Sequence, residues 1–205
     1  LELNDILKYA IRTLNVIIVL GALKYLASKM NELKFISAYF VIAFLFQTAQ
    51  TLIGLKGFHN IFLYHWFTPI EFVVLSINYF TWEREYSKLY IPIITGGAVA
   101  IALFCYHTYP KDIFNSSPND IPIVAITLTC IFLLIFTIRA SIVGAKNYRL
   151  FFIYGMMLYY SQNAPLLYMY QAENFLVPLV YHKVLVVICY SLYIAGYFYA
   201  FYRRK

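Results

Sequence analysis

The chain has 205 residues, of which 62% are hydrophobic and 12% charged, and its mean hydropathy is strongly positive. A soluble domain of this size would cover its core with charge, so the composition belongs to the bilayer class and leaves no room for a soluble catalytic or DNA-binding module. The net charge of +7 does not point to nucleic acid, because Lys and Arg sit at the ends of apolar runs, where they act as topology signals and anionic-lipid contacts.

Apolar runs of about 20 residues, long enough to cross a hydrocarbon core of about 30 Å, recur along almost the whole chain. In chain order they predict helices over roughly 6–27, 34–54, 60–82, 89–107, 121–143, 149–170 and 176–202. Polar punctuation separates them: Lys29-Met30-Asn31-Glu32 after the first, Lys56-Gly57-Phe58-His59-Asn60 after the second, and Glu83-Arg84-Glu85 after the third. The longest break, Tyr109 through Asp120, is rich in turn formers. The expected fold is an all-α integral membrane protein, a single domain built as a seven-transmembrane helix bundle. A six-helix count, with the first run lying on the membrane surface, is the alternative, and it leaves the other helices oriented the same way.

Cytoplasmic loops retain positive charge. Of the 16 Lys and Arg, eleven fall on the side of Lys24, Lys34, Arg84, Arg139, Arg149 and the C-terminal Arg203-Arg204-Lys205, and five on the side of Lys8, Arg12, Lys56, Lys111 and Lys183. The N-terminus is therefore expected outside and the C-terminus inside, in a cell membrane or bacterial inner membrane. Seven helices with an odd one in the middle allow a 3+1+3 parallel repeat. A faint internal echo supports it: Gln47-Thr48-Ala49-Gln50, Asn60 and Tyr64-His65 in the first half, and Ser161-Gln162-Asn163, Asn174 and Tyr181-His182 in the second.

Glu71 is the most informative single residue. It lies near the middle of the third run, about 16 Å from either surface at the helical rise. A carboxylate there costs on the order of 3 kcal/mol on insertion scales, so it must be protonated, paired or facing a wet cavity. The third helix carries His65, Thr68, Glu71 and Asn78 as a polar stripe. Pro69 cannot donate to the carbonyl of His65, and Pro165 leaves that of Ser161 free in the same way. Released carbonyls in kinked helices line sites and pathways in membrane proteins, though prolines also simply shape packing.

With this topology Gln47, Gln50, His65, Glu71, Gln162, Asn163 and His182 all fall between mid-membrane and the outer surface. That convergence predicts an outward-biased polar cavity, with Glu71 as its titratable group, that binds or translocates a small ligand. Two other classes stay open: an intramembrane enzyme acting on a lipid or isoprenoid, with Glu71 as acid and His65 assisting, and a receptor or subunit of a larger complex. His65, Glu71 and His182 have the chemistry to ligate zinc or iron, and the two histidines could hold a haem, but no HExxH-like pair exists and no metal or other cofactor is assigned. Cys105, Cys130 and Cys189 lie inside predicted helices and form no CxxC. Lys183, near the outer end of the last run, reads as a residue snorkelling to the interface. The expected partners are membrane lipids and a small-molecule ligand.

The 3+1+3 layout resembles the sugar transporters of the SWEET and PQ-loop type, and the seven-helix count also resembles rhodopsins, but the Pro-Gln dipeptide is absent and Asn163-Ala164-Pro165 stands in its place. Locally, Gly54-Leu55-Lys56-Gly57-Phe58-His59 followed by Pro69-Ile70-Glu71-Phe72 resembles the loop and helix of the membrane-embedded lycopene cyclase domain. That resemblance implies a proton-donor role for Glu71. The position of the family's second acid is Phe72 here, and the second half lacks a Pro-x-Glu, so no family is assigned on these grounds.

Overall fold

The computed structural model describes residues 3–28, 31–57, 60–82, 87–111, 122–142, 147–170 and 176–203, with the side chains of 31–32, 87–90, 147, 163–170 and 176–179 outside that description. His59, Asn174, the Glu83-Arg84-Glu85 break and most of the 109–120 loop also lie outside the described residues, as do the side chains of Asn163 and Pro165. Among the described residues the protein is all-helical, with seven helices: α1 (Leu3–Leu26), α2 (Asn31–Leu55), α3 (Phe62–Trp82), α4 (Ser87–His107), α5 (Ile123–Ile142), α6 (Asn147–Tyr170) and α7 (Leu176–Tyr202). Their ends fall within three residues of the ends of the apolar runs. Four of them, α1, α2, α5 and α7, are long and apolar enough to cross a membrane.

The helix ends have local causes. After α2 the chain turns at Gly57, whose φ of 79° suits a residue without a Cβ, and its N–H donates to the Gly54 carbonyl at 3.0 Å. Asn60 then donates from Nδ2 to the Gln50 carbonyl at 3.0 Å, tying the start of α3 back to α2. At the end of α1 the Ser28 hydroxyl donates to the Tyr25 carbonyl at 2.9 Å, and at the end of α4 Thr108 does the same to Phe104 at 2.9 Å. Each of these hydroxyls adds a second bond to a last-turn carbonyl that also accepts from the backbone N–H of the same residue.

Helix neighbours run α1 to α2, α2 to α3, α3 to α5, α5 to α6, α6 to α7 and α7 back to α1, while α4 packs mainly on α3 and α5. Six helices thus close a ring, and α4 stands outside it. The ring is filled on its axis by aromatic side chains. Tyr193 lies 4.8 Å from Phe40 between ring centroids, Phe152 lies 5.0 Å from Tyr197, and Tyr197 stacks on Tyr25 at 5.2 Å. Close approach of α6 and α7 depends on two glycines: a Cβ on Gly155 would come 2.3 Å from the Tyr193 ring, and one on Gly196 would come 2.8 Å from Phe152. Each helix therefore lays an aromatic ring over the other's glycine. The outer surface exposes large apolar side chains, among them Leu20, Leu45, Val99, Leu103, Ile135 and Phe198. Such a surface suits contact with lipid.

Candidate functional site

Glu71 lies on α3 inside the ring, 9% exposed. Its Oε1 accepts two hydrogen bonds, from the Tyr39 hydroxyl of α2 at 2.8 Å and from the Tyr160 hydroxyl of α6 at 3.2 Å. A carboxylate accepting two phenols has part of its lost hydration replaced, which is the condition for keeping an ionisable group at this depth. The oxygen serves equally as the carbonyl oxygen of the neutral acid. The arrangement therefore accommodates both protonation states without moving a helix.

A cavity of about 440 Å³ opens beside this group, at the end of the ring that carries the α1 N-terminus. Its walls come from α1 between Lys8 and Asn15, α2 between Tyr39 and Thr51, Tyr64 and Phe67 of α3, Tyr159 of α6, and α7 between His182 and Tyr193. The Tyr39 ring belongs both to the cavity lining and to the hydrogen bond on Glu71. Tyr159 also lines the cavity, and its ring meets that of Tyr160 edge-on at 5.3 Å. Glu71 is thus one phenol removed from the cavity through Tyr39. The volume lies within the range of sites for small organic ligands, about 300–1,000 Å³. Towards the other end of the bundle the ring axis is closed by Phe40, Phe152, Tyr193 and Tyr197.

No family model matches this chain, and no curated protein or solved structure is significantly similar to it. The geometry alone carries the functional reading.

The polar residues of the sequence separate into groups. Gln47, Gln50 and His182 line the cavity. Gln47 accepts a hydrogen bond from Asn15 of α1, and the buried Nδ1 of His182 has no partner among the described residues. His65 points elsewhere: its Nε2 lies 3.0 Å from the Thr108 carbonyl and 3.3 Å from the Thr108 hydroxyl, and its ring meets Tyr109 edge-on. It fastens α3 to the end of α4. Thr68 is buried on α3 and does not line the cavity. Asn78 is buried about 10 Å further along α3 than Glu71 at the helical rise, and both polar atoms of its amide lack partners among the described residues. The same is true of the Gln162 amide on α6. Asn163 follows it on α6, with its side chain outside the described residues. Among the described residues no three His, Cys, Asp or Glu side chains come together.

Tyr39, Lys8, Arg12 and Asn15 are among the cavity residues that sequence reasoning passed over. Tyr39 stands four residues before Ala43, which precedes Gln47 by four, so the helical spacing places it on the face of the glutamines. Lys8 and Arg12 are also one turn apart, but as terminal basic residues they read first as topology signals.

Proposed function

We propose that this protein spans the membrane seven times, with its N-terminus outside and its C-terminus in the cytoplasm, and that its outward-facing cavity binds or translocates a small ligand with Glu71 as the titratable group. The observation that carries the reading is the Tyr39 bridge, which joins a buried carboxylate to a cavity large enough for an organic solute. Proton movement and ligand occupancy are thereby physically linked. A ligand that displaces or turns the Tyr39 ring changes the hydrogen bonding of Glu71, and a change in Glu71 charge alters the ring in return.

The order of helix contacts supports the 3+1+3 arrangement. Exchanging α1, α2 and α3 for α5, α6 and α7 maps every neighbour pair of the six-helix ring onto another, as a two-fold axis along the membrane normal requires. Four apolar, membrane-length helices and a lipid-like outer surface support the membrane location, in a cell membrane or bacterial inner membrane. The intramembrane enzyme acting on a lipid or isoprenoid has no comparable support, because His65, its assisting residue, is held by Thr108 at the end of α4 and not beside Glu71.

The test is a stability screen of the protein in nanodiscs against water-soluble organic solutes of up to about 20 non-hydrogen atoms, repeated on Ala43→Trp. Ala43 lines the cavity, and an indole there fills it. Occupancy raises the melting temperature by mass action. Wild-type protein should respond to a subset of solutes and Ala43→Trp to none of them. A response equally strong in Ala43→Trp, or none in wild type at millimolar solute, contradicts the proposal.

A further inference from the structure

The cavity lining has a charge that its role as a generic ligand site does not require. Lys8, Ile11, Arg12 and Asn15 all line it from α1, at spacings of three and four residues that put them on one helical face. Asn15 on that face is turned inward far enough to donate to Gln47 of α2. Lys183 and His182 line the cavity from α7. Among the described residues the lining therefore holds three cationic side chains and no carboxylate. The Lys183 ammonium donates to the Asn4 amide oxygen, a neutral partner that does not itself offset the charge. Lys8 and Arg12 are exposed at the mouth, while Lys183 and His182 are half-buried.

The opposite end of the same space is aromatic. On α7 the lining runs from Lys183 to Tyr190 and Tyr193, about 15 Å deeper at the helical rise. On the antiparallel α2 it runs from Thr51 and Gln50 down to Phe40 and Tyr39, about the same depth. Both walls thus grade from a polar, cationic mouth to an aromatic floor.

We infer that the cavity selects an organic anion: a carboxylate or phosphate held at the mouth by Lys8, Arg12 and Lys183, with an apolar or aromatic body lying on the floor of Tyr39, Phe40 and Tyr193. This rests on the reading of the cavity as a ligand site and names the ligand's chemistry. Charge-assisted hydrogen bonds from lysine and arginine match such a head group, and the aromatic floor matches its body. A cationic ligand would enter against three like charges, and a purely polar one would leave the floor uncovered.

A series with one body and four heads tests it: tritiated 4-phenylbutyrate, 4-phenylbutyl phosphate, 4-phenylbutanol and 4-phenylbutylamine, bound at equilibrium to the protein in phosphatidylcholine nanodiscs. The two anions should bind about tenfold or more tighter than the alcohol, and the amine not at all. Arg12→Gln and Lys183→Gln should each weaken the anions about tenfold and leave the alcohol unchanged, while Arg12→Lys keeps most of the anion affinity. Alcohol binding also reports that the variants are folded. If the alcohol or amine binds as tightly as the acid, the anion assignment fails and the ligand site survives; if none of the four binds, both fail. Replacing a third of the lipid with phosphatidylglycerol then identifies the source of the anion. Weaker 4-phenylbutyrate binding in wild type, but not in Arg12→Gln, identifies a lipid head group, and unchanged binding identifies a free solute; both results uphold the anionic class.

Discussion

Tyr39→Phe removes one hydroxyl and little else. The ring keeps its place against Phe40, at 5.3 Å between centroids, and Glu71 keeps its bond from Tyr160 at 3.2 Å. What disappears is the 2.8 Å bond from Tyr39 to Glu71. Hydrogen bonds between neutral side chains in membrane proteins average about 0.6 kcal/mol, and those to a charged group about 1.5–3 kcal/mol. Glu71→Gln keeps a neutral acceptor in place, so a double-mutant cycle of Tyr39→Phe with Glu71→Gln measures the difference between the two. Measured by unfolding in mixed micelles, the coupling should be about 1–2 kcal/mol at alkaline pH, where the carboxylate is ionised. It should fall towards zero as the pH is lowered and the acid becomes as neutral as the amide. Near-zero coupling at both ends of the pH range would refute the phenol–carboxylate link.

Four further outcomes are expected. Gly155→Ala forces a Cβ to within 2.3 Å of Tyr193, whose ring is fixed against Phe40 and Phe152, so detergent-solubilised protein should lose about 1–3 kcal/mol. Gly96→Ala, with nothing within 4 Å, should be neutral or slightly stabilising in the same melt. Asn78→Leu replaces a buried amide with no partner among the described residues, and should leave stability unchanged or raise it by about 1 kcal/mol; a loss of more than that would reveal a partner for the amide. His65→Gln should lower stability by about 1 kcal/mol through the Thr108 contact, with solute binding in the nanodisc screen untouched. Lost binding in a folded His65→Gln protein would return His65 to the site.

The helices were legible because each is an apolar run punctuated by charge or by turn residues such as Gly57, and in lipid a spanning segment must satisfy its own backbone. Which helix stands outside the ring was not legible, since the peripheral position of α4 depends on packing partners that hydropathy does not encode. Glu71 stood out by its cost alone. Its partners did not, because tyrosine is common in this chain, with 21 residues, and the one local sign, the spacing of Tyr39 from the α2 glutamines, does not by itself point to Glu71. The polar stripe on α3 was read one step too broadly. His65 and Glu71 are six residues apart, so about 120° separates them around the helix, enough for His65 to reach α4 while Glu71 faces α2 and α6. Lys183 read from the sequence as snorkelling to the interface, and its place in the cavity lining depends on the approach of α1 to α7.

The central claim, that ligand occupancy is linked to the charge of Glu71, is tested most directly by the affinity of a stabilising solute measured from pH 5 to 9 in a His182→Gln background. That background removes the imidazole from the cavity lining. The affinity should change with pH when Glu71 is present and stay flat in Glu71→Gln. The same pH profile with and without the carboxyl group would contradict it.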